Sequence, residues 1–394
     1  MAIRSLELFC GAGGLALGLH QAGFEPAALL ERDKNSCDSI KANIANGFAG
    51  IAKWNVVRAD VRNVHYTDFG HDIQFVTGGP PCQPFSLGGK HNANSDSRDM
   101  FPEAVRAVRE IRPLGFIFEN VKGLLRQSFS SYFNYILLQL SHPEIALRNG
   151  QDWKEHLVRL EKHHTSGSHS ALSYNVIFRL VNAADYGVPQ VRHRVIIVGF
   201  RQDLNANWSF PEPTHSTEAL NYAKYGDGSY WDEHRIAKKN RTGDTFRPQA
   251  MKPLTSEFLH GMRWQTVRDA IKGLPDPKTK RRDNFANHDF RGGARSYTGH
   301  SGSALDEPSK AIKAGAHGVP GGENTLVLDD DSLRYYTIRE SARIQTFPDE
   351  YLFNGSWTES MRQIGNAVPV KLANIIGCSV MEQLKRTMGH GDKQ

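Results

Sequence analysis

Through the first half of the chain, short apolar runs alternate with amphipathic stretches, the pattern of a mostly parallel sheet joined by crossover helices. The apolar runs predict strands over residues 3–9, 27–31, 56–60, 73–77 and 115–119, and helical periodicity predicts helices over 15–22 and 34–44. Residues 175–181 and 194–199 read as a closing antiparallel pair, with Tyr186-Gly187-Val188-Pro189 between them. The stretch 141–173 is polar, rich in histidine and without strong periodicity, so an insertion is expected there, with its own helix near 153–164.

From about residue 202 the pattern changes. Pro, Gly, Asn, Arg and aromatic residues dominate, and periodicity fades until residue 336. Trp208, Tyr230, Trp231, Phe246, Trp264, Phe285 and Tyr297 favour an ordered small domain over a disordered stretch. Regularity returns over 337–345 and in a final helix over 370–385, while 387–394 should fray. The expected organisation is an α/β domain over 1–200, a loop-rich domain over 201–336, and a segment 337–394 that returns to the first domain.

Composition narrows the function classes. Of 394 residues, 39% are hydrophobic and 23% charged, which fits a soluble globular enzyme and not a disordered chain. No uninterrupted apolar run approaches the ~18 residues of a membrane helix. The N-terminus enters a strand directly, so no targeting peptide, no membrane partner and a cytoplasmic location are expected. The four cysteines, Cys10, Cys37, Cys82 and Cys378, form no CxxC pair, so neither a metal site nor a disulfide framework is expected. A formal net charge of +6 points towards a polyanionic partner.

Two halves of a site can be read from the residues. Phe9-Cys10-Gly11-Ala12-Gly13-Gly14 follows a strand and opens a helix, so its backbone can turn tightly and approach a ligand at a helix N-terminus. Glu31 ends the next strand, where a ribose would be bound, and Asp60-Val61 ends the third. Nicotinamide and flavin enzymes share such a turn, but these glycines do not make GxGxxG. That favours a sulfonium-linked nucleoside, which carries no phosphate, over a pyrophosphate.

The other half is reactive. Gly78-Gly79-Pro80-Pro81-Cys82-Gln83-Pro84-Phe85-Ser86 places one thiol in a rigid loop after an apolar strand. A buried core cysteine is the plain alternative, but the flanking prolines argue against a regular element and for a mounted nucleophile. Glu119-Asn120-Val121 ends another strand on the same rim. In Gln190-Val191-Arg192-His193-Arg194, strand alternation would put Arg192 and Arg194 on one face, both aimed at that rim.

In this order the motifs resemble those of the DNA (cytosine-5)-methyltransferases. Arg339-Glu340-Ser341-Ala342-Arg343-Ile344-Gln345-Thr346-Phe347-Pro348 and Gly365-Asn366-Ala367-Val368-Pro369 complete the set, and the likeness covers residues 3–199 and 337 to about 384. The resemblance implies a Rossmann-like S-adenosylmethionine-dependent methyltransferase sheet with a smaller, loop-rich target-recognition domain. It implies methyl transfer to C5 of a cytosine flipped out of double-stranded DNA, with S-adenosyl-L-homocysteine as product.

Residue by residue, Cys82 would add to cytosine C6, and Glu119, kept protonated by burial, would hydrogen-bond ring N3. Arg192 and Arg194 would orient the base and favour the thiolate. Phe9 to Gly14 would hold the methionine part of the donor, Glu31 its ribose, Asp60 and Val61 its adenine, with Pro80, Asn366 and Ala367 completing the pocket. Arg32 stands where relatives often carry an aromatic that stacks on adenine. Gln83, Ser86 and Arg98 would contact DNA, the last two from a segment 86–99 that closes over the base on hinges at Gly88 and Gly89. In the recognition domain Lys280, Arg281, Arg282, Arg291 and Arg295 would do so, and Ala311-Ile312 occupies the place of a Thr-Leu dipeptide.

A tRNA cytosine methyltransferase is the nearest rival, but its Cys-Phe-Thr signature is missing. An inactive DNA-binding homologue is opposed by the intact Cys82, Glu119 and arginines. A dinucleotide oxidoreductase leaves the Cys82 loop and 365–369 unexplained. The compact chain resembles the modification enzymes of bacterial restriction systems, so a monomer paired with a cognate endonuclease is expected.

Overall fold

The computed structural model describes residues 2–81, 99–167, 171–241, 261–279, 281, 284–295, 302–314 and 324–391. In chain order the described strands are β1 (Ile3–Leu8), β2 (Phe24–Glu31), β3 (Val56–Arg58), β4 (Phe75–Gly78), β5 (Gly115–Val121), β6 (Tyr174–Asn182), β7 (Gln190–Val191) and β8 (His193–Arg201). Short strands follow: β9 (His215–Ser216), β10 (Met262–Arg263), β11 (Ser303–Ala304), β12 (Ser309–Lys310), β13 (Thr325–Val327) and β14 (Leu333–Tyr335). The described α-helices are α1 (Gly14–Gln21), α2 (Lys34–Ala45), α3 (Phe101–Ile111), α4 (Ser130–Ser141), α5 (Trp153–Thr165), α6 (Thr217–Asn221) and α7 (Ser229–Glu233). The last four are α8 (Val267–Ile271), α9 (Ile338–Ile344), α10 (Trp357–Asn366) and α11 (Val370–Gly391).

The chain divides into two units, and the first comprises residues 1–181, 193–210 and 373–394. Its strands form a seven-stranded sheet in the order β3-β2-β1-β4-β5-β8-β6, parallel from β3 to β5, with β8 antiparallel to β5. The order reverses between β1 and β4, where Leu8 sits opposite Gly78. In open α/β sheets such a switch point opens the crevice that binds ligands at the strands' carboxyl ends. Gly78 is required for this fit, because a Cβ there would stand 2.4 Å from the Leu8 carbonyl oxygen. The core is built from the apolar faces of these strands and of α3 and α4.

The α/β sheet expected from the apolar pattern is present, and the strand boundaries move by a few residues. β3 ends at Arg58, because the Asp60 side chain accepts from the Arg62 amide and caps a short 3-10 turn over Val61–Asn63. Helix α5 forms in the insertion, held by a capping box between Asp152 and Glu155. Helices α3 and α4 have no counterpart among the expected elements. Fraying is expected from 387; α11 is described as far as Gly391, and residues 392–394 lie outside the described residues. Thr387 Oγ1 there donates to the Gln383 carbonyl at 2.8 Å and Arg386 pairs with Glu382.

Within the first unit α11 lies against α1, close enough that a Cβ on Gly377 would reach Leu19 Cδ2 at 2.8 Å. The helical stretch Trp357–Gly389 has a mean hydropathy of 1.3 over its most apolar window, enough by composition for a membrane span, but 67% of that window is buried inside the protein. It is packed as a core helix.

The second unit comprises residues 182–192 and 211–372. It contains small sheets (β10-β9, β11-β13-β14 and β12-β7) and a satellite core of Leu220, Ala223, Tyr230 and Trp231. Residues 337–372 cluster here and not with the first unit. Thr337 caps α9 in a capping box with Glu340, Arg334 pairs with Glu340 at 2.5 Å, and Trp357 Nε1 donates to the Tyr336 carbonyl.

Candidate active site

At the switch point, the turn after β1 takes up backbone angles that glycine tolerates best. Gly11 and Gly13 have φ of +53° and +80°, and Phe9 adopts +56° despite its side chain. The Glu31 carboxylate organises this turn. Its Oε2 accepts from the Gly11 amide at 2.8 Å, and its Oε1 from the Arg32 and Asp33 amides at 2.8 and 2.7 Å. Glu31 therefore fixes the turn itself. No described atom lies within 4 Å of where a Cβ on Gly11 would stand, so the turn faces open space.

Asp60 is half-buried, and Arg62 holds both its oxygens, at 2.9 and 2.5 Å. Those bonds hold its carboxyl down to about 2. Arg32 approaches the same carboxylate at 3.7 Å, so the residue in the expected aromatic place pairs with the expected adenine acceptor. Val61 is buried in the core beside it. Cys10 and Cys37 are buried too, and burial, with the nearby Glu31 charge second, pushes both thiols up, Cys37 to about 11. Neither is fit to act as a thiolate.

Sequence reasoning missed Glu7, which lies under the turn on β1 and is 2% exposed. Thr77 Oγ1 donates to it at 3.3 Å. Burial pushes its carboxyl up from 4.5 to about 8, against the smaller opposing effects of Thr77 and the Ala16 amide. The folded chain thus keeps a proton that the unfolded chain releases above 4.5. Stability contributed by this proton is complete below that pH and falls through the window up to about 8, by at most about 1.4 kcal/mol per pH unit. Urea midpoints at pH 5, 7 and 9 should fall steeply for the wild type and less for Glu7→Gln; parallel curves would contradict the assignment.

The second half of the site lies on the same rim. Asn120 Nδ2, at the end of β5, donates to the Pro80 carbonyl at 3.1 Å and pins the loop that leaves β4. A Cβ on Gly79 would stand 3.3 Å from Glu119 Oε2. Glu119 is 8% exposed, and Arg194 Nε lies 2.5 Å from its Oε1. The contact is an ion pair without hydrogen-bond alignment at Nε. Glu119 is buried as expected, with Arg194 as its cationic partner. Cys82, Gln83, Ser86, Gly88, Gly89 and Arg98 lie outside the described residues.

Arg192 requires a correction. It does not share a face with Arg194, because the chain changes sheets at this residue: β7 pairs with β12, whereas β8 pairs with β5. Arg192 lies between the two strands and belongs to the second unit, where it is 1% exposed. Its Nη1 donates to the Ile312 carbonyl at 3.1 Å, and its Nη2 to the Gly365 and Ala367 carbonyls at 2.6 and 3.2 Å. Ala367 is buried and Asn366 exposed in that same unit.

Of the expected DNA contacts, Arg281, Arg291 and Arg295 are exposed in the second unit, and Arg291 stacks 4.6 Å over the Trp357 ring. Lys280 and Arg282 lie outside the described residues. Glu233, His234 and Asp269 come together in metal-like geometry, but Arg263 bonds Glu233 at 2.8 Å and Asp269 at 2.7 Å and supplies the positive charge there.

The chain matches the family of C-5 cytosine-specific DNA methylases over residues 3–143 and 158–382, and the gap falls inside the insertion that carries the start of α5. It is 32% identical to the type II methyltransferase M.PspPI of Psychrobacter sp. (strain TA137), over 96% of this chain and 79% of the relative. It is 29% identical to M.NgoMIV of Neisseria gonorrhoeae, over 98% and 99% of the two chains. Among solved structures, Spodoptera frugiperda DNMT2 superposes with a TM-score of 0.54 at 16% identity, covering 98% of this chain and 100% of that one, a likeness of fold. The chain belongs to the C-5 cytosine-specific DNA methylase family, and its enzymatic activity is that of a DNA (cytosine-5)-methyltransferase.

Proposed function

We propose that the chain transfers a methyl group from S-adenosylmethionine to C5 of a cytosine flipped out of double-stranded DNA, through covalent attack by Cys82. The observation that carries this reading is the joining of the two motif sets on one rim. The glycine turn follows β1, the Pro80 loop follows the adjacent β4, and Asn120 ties that loop to the strand bearing Glu119.

The residues fit the donor. Gly11 presents open space, Glu31 braces the turn, and no lysine or arginine stands within 9–14 to attract a pyrophosphate. Phe9 to Gly14, Glu31, Arg32, Asp60, Val61 and Pro80 would hold it, with Asn366 and Ala367 assigned to it by resemblance. When bound, S-adenosylmethionine supplies an electrophilic methyl group on a sulfonium. Cys82 would form an S–C6 bond to cytosine, which breaks the ring's aromaticity and loads electron density onto C5. Transfer of the methyl to C5 would release S-adenosyl-L-homocysteine, and loss of the C5 proton to water with cleavage of the S–C6 bond would then restore the ring and the Cys82 thiolate. Glu119 would hold the base through N3, with Arg194 fixing the direction of its carboxyl. A stacked base cannot be attacked perpendicular to its ring, so flipping is required, at a cost of a few kcal/mol.

The reading needs no metal ion, and it places the enzyme in the cytoplasm on chromosomal DNA, alongside a cognate endonuclease where one exists. Incubating unmethylated DNA with the chain and S-adenosylmethionine, then mapping 5-methylcytosine by bisulfite sequencing, should reveal methylation confined to one short sequence motif. Protein that binds the donor yet leaves no methylated motif would sink the proposal.

A further inference from the structure

In the first unit, away from the rim, three histidines meet where α4 and α5 end. The two helices run parallel, because their contacts advance together: Tyr135 Oη lies 2.9 Å from His156 Nδ1, and His142 Nε2 lies 3.0 Å from His164 Nδ1. Their C-terminal ends are therefore side by side, each with its partial negative charge. No basic residue stands in the last turn of α4, and Lys162 in the last turn of α5 is exposed. Two ring nitrogens at this spot, His142 Nδ1 and His163 Nε2, are buried without a hydrogen-bond partner among the described residues. Their rings pack edge to face, with centroids 4.8 Å apart, and His142 is 6% exposed.

The proton on His142 can be placed. On Nδ1 it would make a buried N–H with no acceptor, the rarer kind of orphan, so it belongs on Nε2, which donates to His164 Nδ1. Nδ1 then presents a bare lone pair. Burial, with the His163 and His164 charges after it, pushes the ring down to about 4, so His142 is neutral near pH 7 and supplies no cation to the helix ends. A neutral imidazole whose far N–H is held by a neighbour is in the state that binds metal. We infer that His142 Nδ1 and His163 Nε2 bind one divalent transition-metal ion of the zinc class, with His164 orienting His142 and water completing the coordination. Imidazole donors suit Zn²⁺, Ni²⁺ and Cu²⁺, whereas Mg²⁺ and Ca²⁺ take oxygen ligands. The carboxylates flanking these histidines in sequence are engaged elsewhere, Glu144 with Arg112 at 2.8 Å and Glu161 with Asn134 at 3.3 Å. The ion neutralises both helix ends and clips the chain between residues 142 and 163, so its role is to staple the insertion, apart from methyl transfer.

The test uses the full chain, stripped with EDTA and titrated with zinc chloride at pH 7.5, read by calorimetry and by thermal unfolding. The wild type should take up zinc at a saturable site, and its Tm should rise with zinc concentration, because the ion binds the folded chain. His163→Gln, at a half-buried position, should abolish both effects at this site. His142→Phe should do the same, and if that variant does not fold, His163→Gln decides. His164→Ala, which removes only the orienting partner, should weaken zinc binding about tenfold. Magnesium chloride should leave the Tm where it is. A wild type that neither binds zinc nor gains stability from it would overturn the inference. So would zinc binding that survives His163→Gln unchanged, or stabilisation by magnesium equal to that by zinc.

Discussion

Replacing Cys82 with alanine is expected to abolish methyl transfer while leaving DNA affinity nearly unchanged. Cytosine C5 does not take a methyl group from a sulfonium unaided, so removing the atom that adds to C6 removes the path and not merely a contact. The expected fall in kcat is on the order of 10⁴-fold or more, the scale seen when a covalent nucleophile is deleted. No other cysteine can substitute. Cys10 and Cys37 are buried with thiols pushed up, on the donor side of the rim, and Cys378 lies exposed on α11, outside every motif. Gel-shift titration on unmethylated DNA, together with tritium transfer, separates the two quantities. Retained transfer would refute the nucleophile assignment, and lost DNA binding would make Cys82 a structural residue of its loop.

What the sequence made legible was what is encoded locally. The glycine turn, the acid ending β2 and the loop leaving β4 each lie within one strand-to-helix connection, where residue type alone sets the backbone. The rim could be read because strand carboxyl ends share one edge of a parallel sheet. Arg192 could not be read, because the carbonyls its guanidinium bonds lie 120 to 175 residues away and the chain leaves its strand at that residue. Gln345 stood inside a quoted motif, yet nothing local shows that its amide faces the Ile364 and Ala367 carbonyls. Glu7 escaped because an acid in an apolar strand reads as a solvent-facing position. Its burial depends on β4 supplying Thr77 across the sheet.

The pairing of Glu119 with Arg194 separates catalysis from stability. In the antiparallel register Val121 faces Arg194 and Glu119 faces Ile196, so Glu119 and Arg194 are diagonal neighbours, within reach of a long side chain. Arg194→Met should destabilise the fold by about 3–5 kcal/mol at neutral pH, because a buried carboxylate loses its counter-charge. Glu119→Gln should lower kcat by about 10²- to 10⁴-fold, the range of general acid–base groups. It should also leave the half-buried Arg194 cation with only the His193 carbonyl as a described hydrogen-bond acceptor, at 2.8 Å. In the double variant neither charge remains, so stability should recover beyond the sum of the single losses while activity does not. Urea unfolding gives the stability cycle, and methyl transfer to unmethylated DNA gives the catalytic one. If the pair is only a structural brace, the double variant regains activity in step with stability. If Glu119 acts on the base, stability returns alone.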